Sequence, residues 1–409
     1  MWSSSRIPGS RPCGPHPCPD KRIRRPVFVH RIATLLRTLL PLGLLLAATA
    51  VHAAPVPAPP KIAASGYLLK DFDSGRILAE ENADQRLEPA SLTKLMTAYV
   101  VFQELRDGNI RLQDQVLVSK KAWRTPGSRM FIEVGKKVTV EDLLKGMIVQ
   151  SGNDASVALA EYVAGSEDAF ANLMNEKAAQ LGMNDTHFVN ATGLPDPEHY
   201  TTPRDILKVA AATIRDFPEM YRIYSVKEFT FNKIRQRNRN GLLWRDESVD
   251  GMKTGHTKAA GYCLVASARR NDMRLLSVVM GTASEDARLD ATQALLNYGF
   301  RFYQTHRLYG AGEVLSRARV WKGEQEKVPL GLEQDLYVTI PRRQYKNLEA
   351  GMRVDPQLMA PIRKGQILGR VEVSLEGEPV TEVPLVALRA VAEGGLMQNL
   401  KDSVLLWFE

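Results

Sequence analysis

The segment that most restricts how this chain can fold is an apolar run that begins at Ser91 and stops before Gly108. Pro89 precedes the run, and five of its apolar side chains recur at helical spacing: Leu92, Leu95, Met96, Tyr99 and Val100. This pattern predicts a helix that is buried on most of its surface, so the rest of the domain has to pack around it. Ser91 opens the helix, and Lys94 lies one turn further along on the same face.

Ser91 and Lys94 together have the chemistry of an activated nucleophile. A hydroxyl at the positive end of a helix is easily deprotonated when an amine lies beside it. Burial favours the neutral form of a lysine, and a neutral amine can accept the serine proton. An S-x-x-K sequence arises by chance about once or twice in a chain of this length. Taken alone, it is therefore more often a helix cap followed by a solvated lysine.

The positive charge of the chain is concentrated in its first 53 residues. They contain eight of the Lys and Arg residues and one acidic residue, so they carry +7 of the net charge of +8. Arginines are followed there by an apolar run at 38–51 and by small residues, which is the pattern of a secretory signal peptide cleaved after Ala53. The remainder is nearly neutral, which argues against a nucleic-acid partner. Only Cys263 remains after cleavage, so no internal disulfide is expected.

Two further short motifs follow Ser91 in the chain. Ser151-Gly152-Asn153 separates two apolar helices, the first of which is predicted to be capped by Thr139. Such a turn can present two polar side chains to a cleft, or it can be an ordinary helix connection. Lys253-Thr254-Gly255 precedes two apolar strands at 262–268 and 275–280, so it is either a turn or the edge of a sheet. At a sheet edge, its glycine would allow close approach of a ligand backbone.

The order of elements predicts an α+β fold: an antiparallel sheet flanked by helices, with an all-helical subdomain. The sheet begins with a hairpin at Asp73-Ser74-Gly75. Short alternating strands from about residue 306 predict a small β-rich domain. We expect a signal peptide at 1–53, a linker at 54–64, a catalytic domain at 65–305, the β-rich domain at 306–392 and a terminal amphipathic helix at 393–409.

The terminal helix carries one apolar stripe: Leu396, Leu400, Val404 and Trp407. Its expected function is to lie in a membrane interface, with the tryptophan at the depth of the headgroups. The alternative is a helix that docks on its own domain. Gly394-Gly395 favours the membrane, because two glycines would detach the helix from the β-rich domain.

The three motifs in this order resemble those of the low-molecular-mass penicillin-binding proteins, and more narrowly of the D-alanyl-D-alanine carboxypeptidases of the bacterial envelope. The resemblance covers about residues 60–409. It rests on three stretches: Pro89-Ala90-Ser91-Leu92-Thr93-Lys94, Ser151-Gly152-Asn153-Asp154-Ala155 and Asp250-Gly251-Met252-Lys253-Thr254-Gly255-His256-Thr257. It implies a β-lactamase/transpeptidase-like fold and no cofactor or metal.

The resemblance also implies the roles of individual residues. Ser91 would attack the D-Ala-D-Ala peptide bond, with Lys94 as the base and Ser151 as the proton donor to the departing D-alanine. The N–H groups of Ser91 and His256 would form the oxyanion hole, and Arg239 would support the cleft. The substrate-binding residues would be Asn153, Lys253, Thr254, Gly255, His256, Thr257 and Arg288. Asn153 would hold the substrate amide, and the alternative for the His256 side chain is to order the sheet edge without touching substrate. Lys253, Thr254 and Thr257, with Arg288, would hold the terminal carboxylate.

Several functions share these motifs. Class A β-lactamases have an additional deacylating glutamate in a loop with the pattern E-x-x-x-N. Residues Glu228 to Asn232 match this pattern, but the alternating aromatic residues there predict a strand. An endopeptidase that cuts peptide crosslinks and a non-catalytic wall-peptide-binding factor remain alternatives. The expected function is a serine carboxypeptidase that trims peptidoglycan pentapeptides and is acylated by β-lactams. It would be exported and peripheral, at the periplasmic face of the bacterial inner membrane, with its C-terminal helix on the membrane surface.

Overall fold

The computed structural model describes residues 56–407; the expected signal peptide and residues 408–409 lie outside them. The elements through residue 302 are β1 (Gly66–Asp71), β2 (Ile77–Glu81), α1 (Lys94–Arg106), β3 (Gln115–Leu117), α2 (Lys120–Arg124), β4 (Lys137–Thr139), α3 (Val140–Val149), α4 (Asn153–Ala164), α5 (Glu167–Gln180), α6 (Pro203–Asp216), α7 (Pro218–Tyr221), β5 (Glu228–Phe231), β6 (Ile234–Arg237), α8 (Leu242–Arg245), β7 (Val249–Thr257), β8 (Gly261–Arg270), β9 (Met273–Thr282) and α9 (Glu285–Phe302). The elements after it are β10 (Tyr303–Tyr309), β11 (Ser316–Trp321), β12 (Lys327–Gly331), β13 (Leu336–Pro341), β14 (Leu348–Val354), β15 (Leu358–Met359), β16 (Ile367–Leu375), β17 (Glu378–Ala387) and α10 (Leu396–Leu405).

A five-stranded antiparallel sheet in the order β2-β1-β9-β8-β7 organises the first part of the chain. The predicted hairpin at residues 73–75 joins β1 to β2 and is confirmed. Side chains alternate between two apolar layers, so that Leu68 and Leu69 belong to different core clusters. The central strands are therefore covered on both faces, by α9 on one side and by the helical layer on the other.

Helix α1 is the centre of the larger core, as its sequence predicts. Its buried residues are Lys94, Leu95, Met96, Thr97, Ala98, Tyr99, Val100, Val101 and Phe102. Ser91 does not cap this helix: it lies in a separate 3-10 turn, Ala90–Thr93, that leads into it. Ala90, the residue before Ser91, has a φ of 47°, a conformation that costs energy for a residue with a side chain. The turn therefore holds Ser91 in a defined position, beside Lys94, the first residue of α1.

Side-chain caps begin several helices of the helical layer. Thr139 accepts a hydrogen bond from the backbone N–H of Asp142 at the start of α3, as predicted. Thr202 does the same for Asp205 at the start of α6, where Pro203 is the first helical residue. These caps set where α3 and α6 begin. Helix α4 has no side-chain cap and is joined to α3 by the short turn that contains Ser151.

The β-rich part begins at β10, directly after α9 ends at Phe302, three residues before the expected boundary. Its six-stranded sheet has the order β14-β16-β17-β12-β11-β15, and β10 pairs with β13. Polar contacts connect it to the first hairpin. The Thr305 hydroxyl donates to the buried carboxylate of Asp71 at 2.7 Å, and Ser74 Oγ lies 2.6 Å from Thr339 Oγ1.

Helix α10 exposes its apolar stripe and docks through its polar face. Leu396 and Trp407 are each 90% exposed, whereas Asp402 is 3% exposed. The Asp402 carboxylate accepts the backbone N–H of Lys322 at 2.6 Å, and the N–H of Gly394 donates to the Lys322 carbonyl. The expectation that two glycines detach the helix is therefore wrong, since the residues around them bond to the β-rich part. Within residues 56–407, none of the helices combines the length and apolar character needed to cross a bilayer.

Candidate active site

A cleft of about 210 Å³ opens above the first turn of α1, between the helical layer and the edge strand β7. Its lining residues are Ser91, Ser128, Ser151, Arg239, Thr254, Gly255, His256, Tyr262, Glu285 and Arg288. Four of these, Ser91, Ser151, Thr254 and Gly255, come from the three motifs that the sequence singled out, and they lie on the 3-10 turn, the α3–α4 turn and β7. The structure thus brings together residues that lie more than 150 positions apart in the chain.

Ser91 and Lys94 meet beneath this cleft. Lys94 Nζ lies 2.9 Å from Ser91 Oγ, and it also donates to Asn153 Oδ1 at 2.7 Å and to the Thr192 carbonyl at 2.6 Å. The lysine is 1% exposed. Burial lowers its pKa to about 7, even though the Asp154 carboxylate acts in the opposite direction. A large fraction of the amine is therefore neutral near pH 7 and can accept the Ser91 proton.

A second serine–lysine pair lies across the cleft. Lys253 Nζ donates to Ser151 Oγ at 2.8 Å and to the Thr254 carbonyl at 3.0 Å. Lys253 is also 1% exposed, and burial, assisted by the charge of Lys94, lowers its pKa well below the usual value. Its amine thus contacts Ser151 beneath the surface, and the contact with a substrate carboxylate that the resemblance implies stays a prediction. Ser151 has a φ of 67°, so strained backbone occurs at Ser151 and, through Ala90, directly before Ser91.

Asn153 and Asp154 fasten the loop that borders the cleft. Asn153 Nδ2 donates to the Pro126 carbonyl at 2.7 Å, so both ends of its amide are used within the protein. The buried Asp154 carboxylate accepts the backbone N–H groups of Met130 and Phe131 at 3.0 and 2.9 Å. Sequence reasoning missed this role of Asp154. Its position next to Asn153 at the start of a helix was the one available signal.

The loop at residues 190–194 closes the site behind Lys94 and was also missed. The Asn190 side chain accepts the N–H groups of Thr192 and Gly193 and thereby aims the Thr192 carbonyl at Lys94. Gly193 has a φ of 83°, and a Cβ there would lie 1.7 Å from the Ala90 carbonyl oxygen. A side chain at this position would thus displace the turn that carries Ser91. Sequence reasoning did not predict these contacts, because the Thr192 carbonyl and Gly193 meet Lys94 and Ala90 about a hundred positions away in the chain.

Strand β7 forms the other wall, which confirms that the K-T-G motif lies at a sheet edge. A Cβ at Gly255 would lie 3.2 Å from Ala90 Cβ, so the glycine allows the strand to approach the Ser91 turn; its expected role beside a ligand backbone stays a prediction. The His256 ring stacks on Tyr262, with 4.0 Å between ring centroids. Thr257 is not part of the cleft lining; its hydroxyl donates to Glu88 at 3.1 Å.

Two arginines make the cleft positive. Arg288 is 3% exposed, and its Nε has no hydrogen-bond partner among the described residues. The Glu285 carboxylate accepts a hydrogen bond from another N–H group of the Arg288 side chain at 3.2 Å. Arg239 is exposed, and within residues 56–407 no hydrogen bond or ion pair involves its side chain. A substrate carboxylate would find two guanidinium groups here, together with the Thr254 hydroxyl.

Glu228 is remote from this chemistry. It lies on β5, as the aromatic alternation predicted, and its carboxylate bonds to Arg235. It does not line the cleft, so it does not correspond to the deacylating glutamate of a class A β-lactamase. Among residues 56–407, no three His, Cys, Asp or Glu side chains converge closely enough to hold a metal ion.

Fold and site together define a serine acyl-transfer enzyme, and comparison with known proteins gives its family. Residues 52–284 match the family model described as D-alanyl-D-alanine carboxypeptidase, and residues 303–393 match that of the penicillin-binding protein 5 C-terminal domain. The chain therefore belongs to the D-alanyl-D-alanine carboxypeptidase family.

Individual relatives are similar over most of their length. The D-alanyl-D-alanine carboxypeptidase DacC of Escherichia coli is 46% identical over 372 residues, which are 89% of this chain and 93% of that protein. The crystal structure of penicillin binding protein 5 from Haemophilus influenzae has a TM-score of 0.80 at 44% identity and covers 82% of this chain and 100% of its own. Penicillin-binding protein D2 from Listeria monocytogenes, in its ampicillin-bound form, has a TM-score of 0.56 at 29% identity, over 60% of this chain and 100% of its own.

Proposed function

We propose that this protein is a serine-type D-Ala-D-Ala carboxypeptidase that removes the terminal D-alanine from peptidoglycan pentapeptides through an acyl-enzyme on Ser91. The observation that carries the proposal is the contact of 2.9 Å between Ser91 Oγ and Lys94 Nζ, a buried amine whose pKa is about 7. A neutral amine at that distance can take the hydroxyl proton as the oxygen attacks.

Acylation follows from the two serine–lysine pairs. Ser91 Oγ attacks the carbonyl carbon of the D-Ala-D-Ala bond while Lys94 takes its proton. The C–N bond then breaks, and the departing amine takes a proton from the Ser151 hydroxyl. Lys253 can return a proton to Ser151 across their 2.8 Å contact. The negative charge on the carbonyl oxygen is proposed to lie between the N–H groups of Ser91 and His256. The edge position of β7 supports this, because alternate N–H groups of an edge strand face away from the sheet.

The terminal carboxylate of the substrate is proposed to bind Arg288, Thr254 and Arg239. Among residues 56–407, neither Arg288 Nε nor the Arg239 side chain has a hydrogen-bond partner, which supports this assignment. Lys253 would act on this carboxylate through its positive charge only, because its amine is buried against Ser151. Asn153 would bind the substrate amide only if its contact with Pro126 opened. Substrate contacts of Gly255, His256 and Thr257 stay predictions.

Deacylation is proposed to use Lys94 again. Its pKa near 7 allows it to lose the proton gained from Ser91 and then to activate a water molecule. The water adds to the ester carbonyl, the ester C–O bond breaks, and Ser91 Oγ recovers a proton from Lys94. A β-lactam would acylate Ser91 by the same first step. None of the cleft-lining residues is placed like a dedicated deacylating glutamate, since the one carboxylate there, Glu285, is bonded to Arg288.

The nucleophile is tested by labelling with a fluorescent penicillin. Ser91→Ala should abolish covalent labelling, because no other serine in the cleft contacts Lys94. Ser128→Ala, which removes a second hydroxyl from the same lining, is the matched control and should label normally. Labelling of the Ser91→Ala protein would place the nucleophile elsewhere.

The reaction is tested with two purified substrates, a soluble pentapeptide and a crosslinked peptide dimer. We expect free D-alanine from the pentapeptide and from the uncrosslinked tail of the dimer. Release of monomers from the dimer would instead assign the protein as an endopeptidase. No release from either substrate, together with normal penicillin labelling, would favour a non-catalytic peptide-binding factor.

Export, the division into domains and the membrane surface are also proposals. A signal peptide at 1–53, a linker at 54–64, a catalytic domain at 65–305, a β-rich domain at 306–392 and a membrane helix at 393–409 fit a peripheral protein on the periplasmic face of the inner membrane. The exposed apolar stripe of α10 supports the proposed position on the membrane surface, because the polar face of the helix is already docked on the β-rich part.

Membrane binding is tested by sedimentation with vesicles. Deletion of residues 396–409 should leave the protein in the supernatant, and Leu400→Asp should weaken its sedimentation strongly. Ser403→Asp adds the same charge to an exposed polar position of the same helix and is the control. Continued sedimentation of the deleted protein would contradict the anchor.

A further inference from the structure

A row of three arginines leads along the β5–β6 hairpin toward the cleft. Exposed and buried residues alternate strictly over this segment: Arg235, Gln236, Arg237, Asn238, Arg239 and Asn240, with each arginine exposed and each amide buried. We call Arg235, Arg237 and Arg239 the arginine row. Side chains two apart on an extended strand point to the same side, so the three guanidinium groups share one face.

The buried amides hold this arrangement in place. Gln236 Nε2 donates to the Met130 carbonyl at 3.0 Å, and Asn238 Nδ2 donates to the Val226 carbonyl at 2.9 Å. Asn240 Nδ2 donates to the Gly251 carbonyl, also at 3.0 Å. With every second residue anchored, the row is a fixed feature of the fold. Residues two apart on a strand are separated by about 7 Å, so the row from Arg235 to Arg239 extends over about 13 Å.

The row is positive although the chain after residue 53 carries a net charge of only about +1 as a whole. Residues 222–245 contain seven Lys and Arg residues and a single acidic residue, Glu228. The Glu228 carboxylate bonds to Arg235 and lies 3.7 Å from Arg237, so one negative charge is shared by two guanidinium groups. Arg239 has no partner within residues 56–407. The row therefore keeps a net positive charge that faces solvent.

One end of the row lies inside the cleft. Arg239 lines it together with Ser91 and Ser151, and the ladder of β5 and β6 continues to the N–H of Asn238, which donates to the Lys227 carbonyl. An anionic chain that leaves the cleft on this side would pass over Arg237 and then Arg235. Because the row enters the cleft, it favours an occupant that is continuous with the bound peptide over a separate anionic partner.

We propose that the arginine row binds further carboxylates of the substrate polymer, namely those of stem peptides next to the one whose end is in the cleft. This inference rests on the proposed carboxypeptidase function and extends it. The row would make the enzyme prefer polymeric peptidoglycan to a short free peptide, which does not reach beyond Arg239. Its attraction is electrostatic at an exposed surface, so added salt should weaken it.

The test compares D-alanine release from a short soluble pentapeptide and from purified pentapeptide-rich peptidoglycan. For Arg235→Gln/Arg237→Gln we expect kcat/KM on the short peptide to remain within about twofold of the unsubstituted protein. Release from the polymer at low salt should fall about 3- to 10-fold. The salt dependence seen with the unsubstituted protein should become shallower in the variant.

Two further variants show whether the effect depends on the charge of the arginine row. Arg353→Gln/Arg370→Gln removes two exposed arginines that share Glu372 in the β-rich part, just as the row shares Glu228, and should leave polymer activity unchanged. Glu228→Gln removes the one negative charge beside the row and should raise polymer activity at low salt. Both leave the cleft lining intact, and penicillin labelling reports whether each variant is folded.

Equal polymer activity of the row variant and the unsubstituted protein would overturn the inference. So would an equal loss in the Arg353→Gln/Arg370→Gln control, or an equal loss on the short peptide. These outcomes are distinct from failure of the proposed function, in which the unsubstituted protein releases no D-alanine from either substrate.

Discussion

At the residue scale, the site depends on two lysines that the fold keeps away from water. Lys94 and Lys253 are both buried, and the positive charge of Lys94 opposes protonation of Lys253. Carboxylates are absent from the hydrogen bonds described for either amine. Burial therefore lets Lys94 accept the Ser91 proton and lowers the pKa of Lys253, so that neither amine is a fixed cation.

Acylation should depend on pH through Lys94. The amine is the reactive form, and its pKa is about 7. The rate constant for acylation by a labelled penicillin should rise about tenfold per unit below pH 7 and level off above it. A stopped-flow profile from pH 5 to 9 measures this, and Lys94→Met should show no acylation at any pH. A flat profile would mean that Lys94 is not the base.

Stability should fall in acid because of His199. Its Nδ1 accepts the N–H of Val189, so Nε2 carries the proton toward Thr93 Oγ1, and burial lowers the pKa of the ring to about 4. Between pH 6.5 and 4 the unfolded chain binds more protons, so the free energy of unfolding should decrease by up to about 3 kcal/mol as pH falls.

The measurement is the free energy of unfolding in urea at several pH values. His199→Gln should remove most of this slope whatever its effect at pH 7. His187→Gln, at the half-buried histidine nearby, is the control and should keep the slope. If His199→Gln unfolds with the same pH dependence as the unsubstituted protein, another group is responsible.

At the element scale, the reactive groups lie where regular structure is interrupted. Ser91 is in a 3-10 turn before α1, Ser151 is in the turn between α3 and α4, and Lys253 is on an edge strand. Turns and edges leave side chains and N–H groups free to face a cleft, whereas the interiors of helices and sheets do not. The sequence predicted these elements because caps, apolar spacing and glycines act over a few residues.

The loop at residues 126–132 should depend on Asp154. Asp154→Asn removes a charge and at least one acceptor from the N–H groups of Met130 and Phe131, so the free energy of unfolding should fall by about 1–3 kcal/mol. Because the carboxylate raises the pKa of Lys94, the acylation profile should also shift to lower pH. Asp168→Asn, in the exposed first turn of α5, should change neither quantity.

The shift of the acylation profile separates an electrostatic effect of Asp154 from a purely structural one. A loosened loop alone lowers the plateau of the acylation rate and leaves its midpoint near pH 7. A midpoint that does not move in the Asp154→Asn protein would contradict the coupling to Lys94.

At the scale of the whole molecule, a small polar cluster connects the two parts of the chain. Asp71, on β1, is fully buried and accepts the hydroxyls of Ser74 and Thr305. Thr305 Oγ1 also lies 2.8 Å from Thr339 Oγ1, on β13. The cluster is satisfied only when β10 and β13 lie against the first hairpin, so it fixes how the β-rich part is attached.

Thr305→Val should loosen this attachment. It leaves the buried Asp71 carboxylate without one donor, so we expect a loss of about 1–3 kcal/mol in the free energy of unfolding and faster proteolysis near residues 303–309. Penicillin labelling should persist, because none of these residues lines the cleft. Thr230→Val, at an exposed strand position on β5, should be neutral. Unchanged stability and proteolysis in Thr305→Val would show that the cluster does not hold the parts together.

Much of the fold could be predicted from the sequence, whereas many of the contacts that hold the site in place could not. The hairpin at 73–75, the caps at Thr139 and Thr202 and the strand at Glu228 were all predictable, because each is specified by adjacent residues. Asp154, His199 and Gly193 were not identified. Each acts on a segment far from it in the chain, and nothing in its local pattern reveals that partner.

By itself, the sequence determined that a buried helix begins beside Ser91, that Lys94 lies one turn on, and which motifs accompany them. Local steric and hydrogen-bonding preferences are sufficient for this. Only the tertiary structure decided the protonation of the two lysines, since Lys94 meets Thr192 and Lys253 meets Ser151 across about a hundred residues. It also decided that α10 docks by its polar face. Burial and charge depend on which distant segments exclude water, and the packed chain alone determines that.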